Sequence, residues 1–412
     1  MSKVRGRDYC RACGSKSLFT GLDLGFQPIA NELVSNSSKK SDSFELHLRI
    51  CKDCKLGQVQ DVVTPQRLFN DYRYLSSVSS SFVDHAKDFV SKYMTQNEFA
   101  AGEWVLEIAS NDGYLLQHFL KKGIQVLGVE PSVNVSEISR NLGIPTITDF
   151  FGKSLATKIL DEFGYPKLII ANNVLAHVPD ICDFMDGLEL LTGSRTTVSI
   201  ENPSMLNILK ENQFDSIYHE HYSYLSAHAV SNLLNGRAIA LKRIEEIETH
   251  GGSLRYTFIH RDNKEDLNDV TNRIFREEVE FQLFEPQEWA KGDAKISQIK
   301  MDLKDLIEGF QKEGKKVWGF GAAAKCCTLI HFVELQNGSI LGIADSSREK
   351  QGWYIPNTGI EIVSPQEMIE ANPDHIIVFA WNVFDEISSS IRKLTDKKIP
   401  IWRVIPTIEK YE

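Results

Sequence analysis

The chain has 412 residues, 42% hydrophobic and 25% charged, with a formal net charge of −10. That length exceeds one hydrophobic core and implies two to four domains. The acidic balance excludes a general polyanion binder, because a nucleic-acid surface needs a basic excess. It leaves room for a small anionic substrate in a locally positive pocket. No run of 18 apolar residues occurs, so no membrane-spanning helix is expected, and MSKVRGRD lacks the apolar core of a secretory signal. A cytoplasmic protein is the expectation.

In chain order, residues 1–65 are rich in turn formers and hold two C-x-x-C pairs, Cys10/Cys13 and Cys51/Cys54, with 37 residues between them. Two such turns supply four thiolates, the donor set of a closed tetrahedral zinc site. The segment otherwise offers little with which to build a core, so metal binding is expected to organise it. Redox cysteines or a rubredoxin-like iron centre are the alternatives. From Asp71 to Gln96 the three- and four-residue spacing of FVDHAKDFVSKYM predicts a helix.

Between 103 and 200, EWVLEIA, IQVLGVE, KLIIANN and TTVSIEN read as buried strands, with YLLQHFLKKG and VSEISRNLG as helices between them. Such alternation predicts a parallel sheet covered on both faces. VLEIASNDGYLLQHF is a strand, a turn and a helix start: Glu107 sits near the strand end and Gly113 permits close backbone approach. Glu130 follows Glu107 by 23 residues and ends the next strand, where a carboxylate can take both hydroxyls of a ribose. The loop is neither G-x-G-x-x-G nor a P-loop. A ribose acid without a diphosphate cradle favours S-adenosylmethionine over a dinucleotide.

IYHEHYSYLS, at 217–226, packs two histidines, a glutamate and phenolic side chains into ten positions. Histidines at i and i+2 do not share a helix face, and no third ligand is evident, so a metal site is disfavoured. A polar loop with satisfied histidines is the bland alternative.

Residues 262–312 are charged and predicted helical, a connector. Then KKVWGFG, SILGIAD, HIIVFAW and IPIWRVIP predict a second parallel sheet. VWGFGAAAKCCTLI fits G-x-G-x-x-A after a strand, and Asp345 follows Gly321 by 24 residues. Alone this implies NAD and gives the rival reading, a sugar oxidoreductase. The preferred reading is a pocket for substrate phosphates at this helix start, contacting Gly321 and Lys325. Close helix–sheet packing without a ligand is a third explanation.

Taken together, EIASNDGYLL, NNVLAHVPD (172–180), Glu201-x-Pro203, FDSIYHEHYSY (214–224) and HGGSLR (250–255) resemble the sugar C-methyltransferases along nearly the whole chain. Those enzymes methylate C3 of nucleotide-linked 4-keto-deoxysugars. The resemblance implies an α/β protein in three parts: a small four-cysteine zinc-binding N-terminal module (1–65), a class I methyltransferase Rossmann-like domain with a helical lead-in (66–260), and, after a connector (261–305), a second Rossmann-like domain (306–412). It places zinc on Cys10, Cys13, Cys51 and Cys54, and S-adenosylmethionine at Glu107, Asn111, Gly113, Glu130 and Asn173. It places the catalytic group on Tyr218, Glu220 and His221, with His177 nearby and a tyrosine from DYRYLSS, where Tyr72 and Tyr74 both fit and Tyr72 is taken. The chain departs from the family pattern at Cys326-Cys327 and Asp345-Ser346-Ser347.

The chemistry explains the cluster. Carbon methylation needs an electron pair on carbon, obtained by removing a proton beside a ketone. Imidazole suits that task near neutral pH, which assigns the base to His221, with Glu220 orienting the ring or holding substrate hydroxyls. Tyr218, Tyr72 and His177 are then expected to donate to the enolate oxygen. His250 either lines the cleft or serves its Gly-Gly turn.

Overall fold

The computed structural model describes residues 5–6, 8–69 and 75–411. Its centre is a seven-stranded sheet in the order 239–247, 253–260, 197–203, 168–172, 104–108, 125–129 and 146–147. The five strands between 104 and 203 run parallel, and 253–260 is antiparallel to both of its neighbours. Counted along the chain this is 3-2-1-4-5-7-6 with strand 7 reversed, the methyltransferase form of the Rossmann fold. Four of these strands are the four predicted from apolar runs. Trp104–Ile108 is buried throughout, as a strand covered on both faces must be. The order reverses between Trp104–Ile108 and Leu168–Asn172, and the crevice beyond their carboxyl ends is where such sheets bind ligands. The lead-in helix predicted from Asp71 begins at Ser80 instead, after a single 3-10 turn at Ser76–Val78, and ends at Gln96 as expected, with the Ser79 hydroxyl capping the Phe82 amide.

The N-terminal segment holds more than its cysteines, contrary to the sequence expectation. Leu18–Pro28, Ser43–Cys51 and Gly57–Val59 form a sheet whose fourth strand, Ser223–Tyr224, comes from the histidine-rich segment. In SFELHLRIC the alternate residues Leu46, Leu48 and Ile50 are buried. They pack into one core with Phe214, Ile217 and Tyr222 of the histidine-rich segment and Trp289 of helix Pro286–Lys312. That helix runs through position 305, and the core continues into Cys326, Leu329 and Ile330 of the last domain. The predicted connector is thus a spine that fixes three parts of the chain around the crevice. Each large side chain so buried contributes about 1.5–3 kcal/mol.

The last domain has strands 362–363, 343–344, 317–320, 375–378, 401–403 and 409–411 in that order, parallel except for the final pair. All four strands predicted here are present. The adjacent Cys326 and Cys327 are buried in helix Ala324–Val333. No helix among the described residues is long and apolar enough to cross a membrane.

Candidate active site

The two cysteine turns are built alike. In each, the residue after the second cysteine has a positive φ, Gly14 at 73° and Lys55 at 67°, and its amide donates to the carbonyl of the first cysteine. This folds both thiols of each pair to one side. The Sγ atoms of Cys10 and Cys54 lie 3.4 Å apart, those of Cys13 and Cys51 3.6 Å apart, and all four are within 4.8 Å of one another. A tetrahedron of Zn–S bonds of about 2.3 Å has edges of about 3.8 Å, so four thiolates in this arrangement suit zinc. None of the four lines the central cavity, which makes the metal structural.

That cavity, about 650 Å3, opens at the reversal of strand order and takes lining from all three parts of the chain. On the methyltransferase side the loop after Trp104–Ile108 turns through positive φ at Ala109, Asn111 and Gly113. Asn111, Glu130 and Asn173 line the cavity. Glu130 Oε2 accepts the Asn111 amide at 3.1 Å and Oε1 the Ser132 amide at 2.9 Å, which fixes the carboxylate at the strand end. Burial, with the charge of Asp112 adding to it, raises its pKa while those amides oppose the shift. Asn111 Oδ1 accepts the Ser76 amide at 2.9 Å, so this side chain also holds the lead-in segment.

Glu107 and Gly113 stand behind the lining. Glu107 is 1% exposed, and its pKa is driven well up by burial and by the charges of Asp112 and Glu130. Gly113 serves packing: a Cβ there would meet Ile144 Cδ1 at 2.5 Å. The amide oxygens of Asn172 and Asn173, at the end of the next parallel strand, are buried without a hydrogen-bond partner. Two orphaned acceptors beside a fixed carboxylate suit a ligand that carries an ammonium group and a ribose, as S-adenosylmethionine does. Asn172 escaped the sequence reading although it stands next to Asn173 at the same strand end.

His177, Ser216, Tyr218 and His221 line the same cavity. His221 Nδ1 lies 3.0 Å from the Ser216 carbonyl oxygen, which only accepts, so that nitrogen carries the proton. In the neutral ring Nε2 is then the lone-pair nitrogen, 2.8 Å from the Tyr218 hydroxyl, which donates to it. His177 Nδ1 donates to the Glu220 carbonyl oxygen at 2.7 Å, and enclosure lowers its pKa to about 4. It is therefore neutral, with Nε2 an acceptor. This corrects the expectation that His177 donates to an oxyanion, since its one N–H is already committed. Its ring packs edge-on against His221 with centroids 4.5 Å apart.

The Glu220 side chain does not line the cavity. Its Oε1 accepts the Asn31 amide at 3.0 Å and the Asn31 side chain at 3.1 Å, tying this loop to the N-terminal part. What Glu220 orients is His177, through its main-chain carbonyl, and not the His221 ring. Asn31 itself lines the cavity, a contribution no local motif announces. Tyr72 and Tyr74 lie outside the described residues, as does the His250 side chain.

From the last domain, Gly321, Lys325 and Asp345 reach the same cavity. Lys325 Nζ donates to Ser216 Oγ at 2.8 Å and lies 4.1 Å from the Trp381 ring centroid. Burial lowers its pKa to about 8, against the pull of Asp215, so it is mostly cationic at neutral pH. The Asp345 carboxylate accepts the Ala322 and Ser347 amides, both at 2.8 Å, and pairs with Lys350 at 3.6 Å. A Cβ on Gly321 would meet Ala380 Cβ at 2.7 Å, so this glycine also secures close packing beneath the loop. The G-x-G-x-x-A loop thus opens on the cavity that His221 lines.

Three family models match in tandem: "Putative zinc binding domain" over residues 10–69, "Methyltransferase domain" over 82–237 and "C-methyltransferase C-terminal domain" over 248–406. A curated relative, the C-methyltransferase NovU of Streptomyces niveus, is 28% identical over 386 residues, 93% of this chain and 92% of its own. Among solved structures, a magnesium protoporphyrin IX methyltransferase from Synechocystis with bound SAH is 15% identical over 47% of this chain and 92% of its own, with a TM-score of 0.35. A SAM-dependent methyltransferase from Anabaena variabilis is 15% identical over 42% and 84%, also at 0.35. The fold assignment rests on strand order rather than on these partial superpositions. The three domain matches end to end, the relative alike over nearly its whole length and four thiols in zinc geometry together support an S-adenosylmethionine-dependent C-methyltransferase with an N-terminal zinc-binding domain.

Proposed function

We propose that the enzyme methylates C3 of a nucleotide-linked 4-keto-deoxysugar, with His221 as the base. The observation that carries this is the placement of His221: it lines the cavity shared with the proposed methyl-donor crevice, and the Ser216 carbonyl 3.0 Å from Nδ1 makes Nε2 the nitrogen that would take up the substrate proton. Bound S-adenosylmethionine supplies an electrophilic methyl group. The chain's own residues prepare the nucleophile. The C3–H bond breaks, its proton goes to Nε2, and its electron pair becomes the C3–C4 double bond as the carbonyl oxygen takes up negative charge. That pair then forms the new bond from C3 to the methyl carbon while the S–CH3 electrons remain on sulfur, and the ketone is restored. When the substrate C–H takes the place at Nε2, the Tyr218 hydroxyl is released to donate to the enolate oxygen. The neutral His177 accepts from a sugar hydroxyl.

Lys325 fits the substrate's phosphates: a cation on the cavity wall, at the start of a helix, one residue away from the base through Ser216. Replacing it with methionine keeps the stem and removes the charge. The expected result is a KM for the nucleotide sugar raised roughly 10–100-fold, the worth of a charged hydrogen bond, with S-adenosylmethionine affinity unchanged. Substrate-saturation kinetics and calorimetry check both halves.

The reading as a whole is tested by incubating the enzyme with methyl-labelled S-adenosylmethionine and a panel of 4-keto nucleotide sugars. Label is expected on a ring carbon beside the ketone. Label on an oxygen, or on no sugar, would overturn it. The oxidoreductase alternative gains no support, because its loop lies within the transferase cavity and the matched C-terminal domain is that of a C-methyltransferase.

A further inference from the structure

Between the first two cysteines stands Arg11, 8% exposed. Its amide donates to Gln58 Oε1 at 2.9 Å, and Gln58, fully buried, returns a bond from Nε2 to the Tyr9 carbonyl at 2.9 Å. The base of the arginine is thereby locked to the zinc turn. Its guanidinium extends away from the thiols. Nη1 donates to the Pro179 carbonyl at 3.2 Å, while Nη2 donates to the Tyr222 carbonyl and to Ser223 Oγ, the latter at 3.0 Å. Pro179 follows His177 by two residues, and Tyr222 directly follows His221. One planar fork therefore spans the two loops that carry the paired imidazoles, and the Tyr222 ring lies 5.6 Å from its carbon. A second tie runs beside it: the Cys182 thiol donates to the Ala12 carbonyl at 3.3 Å, pinning the helix that starts just after Pro179 to the same turn.

We infer that Arg11 is a positioning residue for methyl transfer: the metal-folded turn sets the spacing of His177 and His221 through this guanidinium, which gives the zinc module a part in catalysis without touching substrate. The inference rests on the proposed roles of those histidines. A guanidinium suits this place because its donors diverge in a fixed plane and meet carbonyls on two separate loops at once. A lysine keeps the charge but is a single point that cannot hold both.

Arg11→Lys and Arg11→Met are compared with the wild type for zinc content, thermal midpoint, S-adenosylmethionine affinity, and kcat. Both variants are expected to retain one zinc per chain and the wild-type affinity for the methyl donor, whose crevice Arg11 does not touch. In both, kcat is expected to fall by about 10²-fold, the effect of misplacing a reacting group by about 1 Å. A structural role would instead show as lost zinc or a collapsed midpoint, with rescue by lysine. The conservative variant decides the matter should Arg11→Met not fold. Wild-type kcat in Arg11→Lys, or a loss there that tracks lost zinc or unfolding, would overturn the inference. His221→Ala is assayed alongside: if it stays active, the assignment of the base fails, and the Arg11 comparison still reads separately on transfer.

Discussion

His221→Ala is expected to lower kcat by about 10²–10⁴-fold, the usual worth of a positioned general base, while S-adenosylmethionine binds as before. The separation follows from the geometry. The proposed donor crevice takes Glu130, Asn172 and Asn173 from the ends of two parallel strands, whereas His221 stands on a loop held by Ser216 and Tyr218. Deleting the ring leaves the crevice intact and removes the lone pair. Steady-state kinetics beside a donor-binding isotherm distinguish this from general damage. Parallel loss of donor affinity would place residue 221 in the donor site instead. A histidine-to-glutamine change tests the same point with volume preserved, since an amide hydrogen-bonds but does not take up a proton at neutral pH.

Removing the zinc is expected to have the second large effect. Binding of zinc by four thiolates in small peptides is worth about 10–16 kcal/mol, comparable to the roughly 5–15 kcal/mol that holds a whole domain folded. Cys51→Ser, at a fully buried ligand, is therefore expected to lose the metal and unfold the N-terminal sheet. The damage extends beyond residue 69, because Ser223–Tyr224 is a strand of that sheet and Tyr222 shares its core. Metal analysis is expected to give about one zinc per wild-type chain and none in the variant, whose melting should lose a cooperative step together with the activity. A metal-free variant with wild-type activity and melting would contradict this role.

The central sheet was legible because buried parallel strands write themselves as continuous apolar runs, as in KLIIANN, and because charged turns punctuate them. The N-terminal sheet was hidden by a different grammar. Leu46, Leu48 and Ile50 alternate with Glu45, His47 and Arg49, the period of a half-exposed strand, and the eye looking for a helix or an apolar run passes over it. The hairpin strands Ile239–Ile247 and Ser253–His260 were passed over for other reasons: in the first, the charged pairs Lys242-Arg243 and Glu245-Glu246 break both the apolar run and the alternation, and in the second Arg255 and Thr257 interrupt a strand that is nonetheless buried along nearly all its length.

The site divides along a similar line. Local motifs located His221, Tyr218, His177, Asn111, Glu130 and Asn173 on the cavity wall, and placed the four cysteines together. They misjudged direction. Nothing in EHYSY tells that the Glu220 carboxylate turns away toward Asn31 while its carbonyl holds His177. Nor does C-R-A-C disclose that the arginine ends 211 residues away in sequence, on the Tyr222 carbonyl. Such contacts depend on how distant segments pack, and one-dimensional spacing carries no record of them. The second glycine loop is the instructive case: its pattern suggested a separate dinucleotide site, and the fold turns it into one wall of the transferase cavity.

Proton exchange at the substrate decides most directly whether carbon is activated by this imidazole. A 4-keto nucleotide sugar incubated with enzyme in deuterium oxide is followed by magnetic resonance at C3. The wild type is expected to replace that hydrogen with deuterium, and His221→Ala to leave it in place. Exchange at the same rate in both proteins would show that the proton leaves by another route and would contradict the assignment.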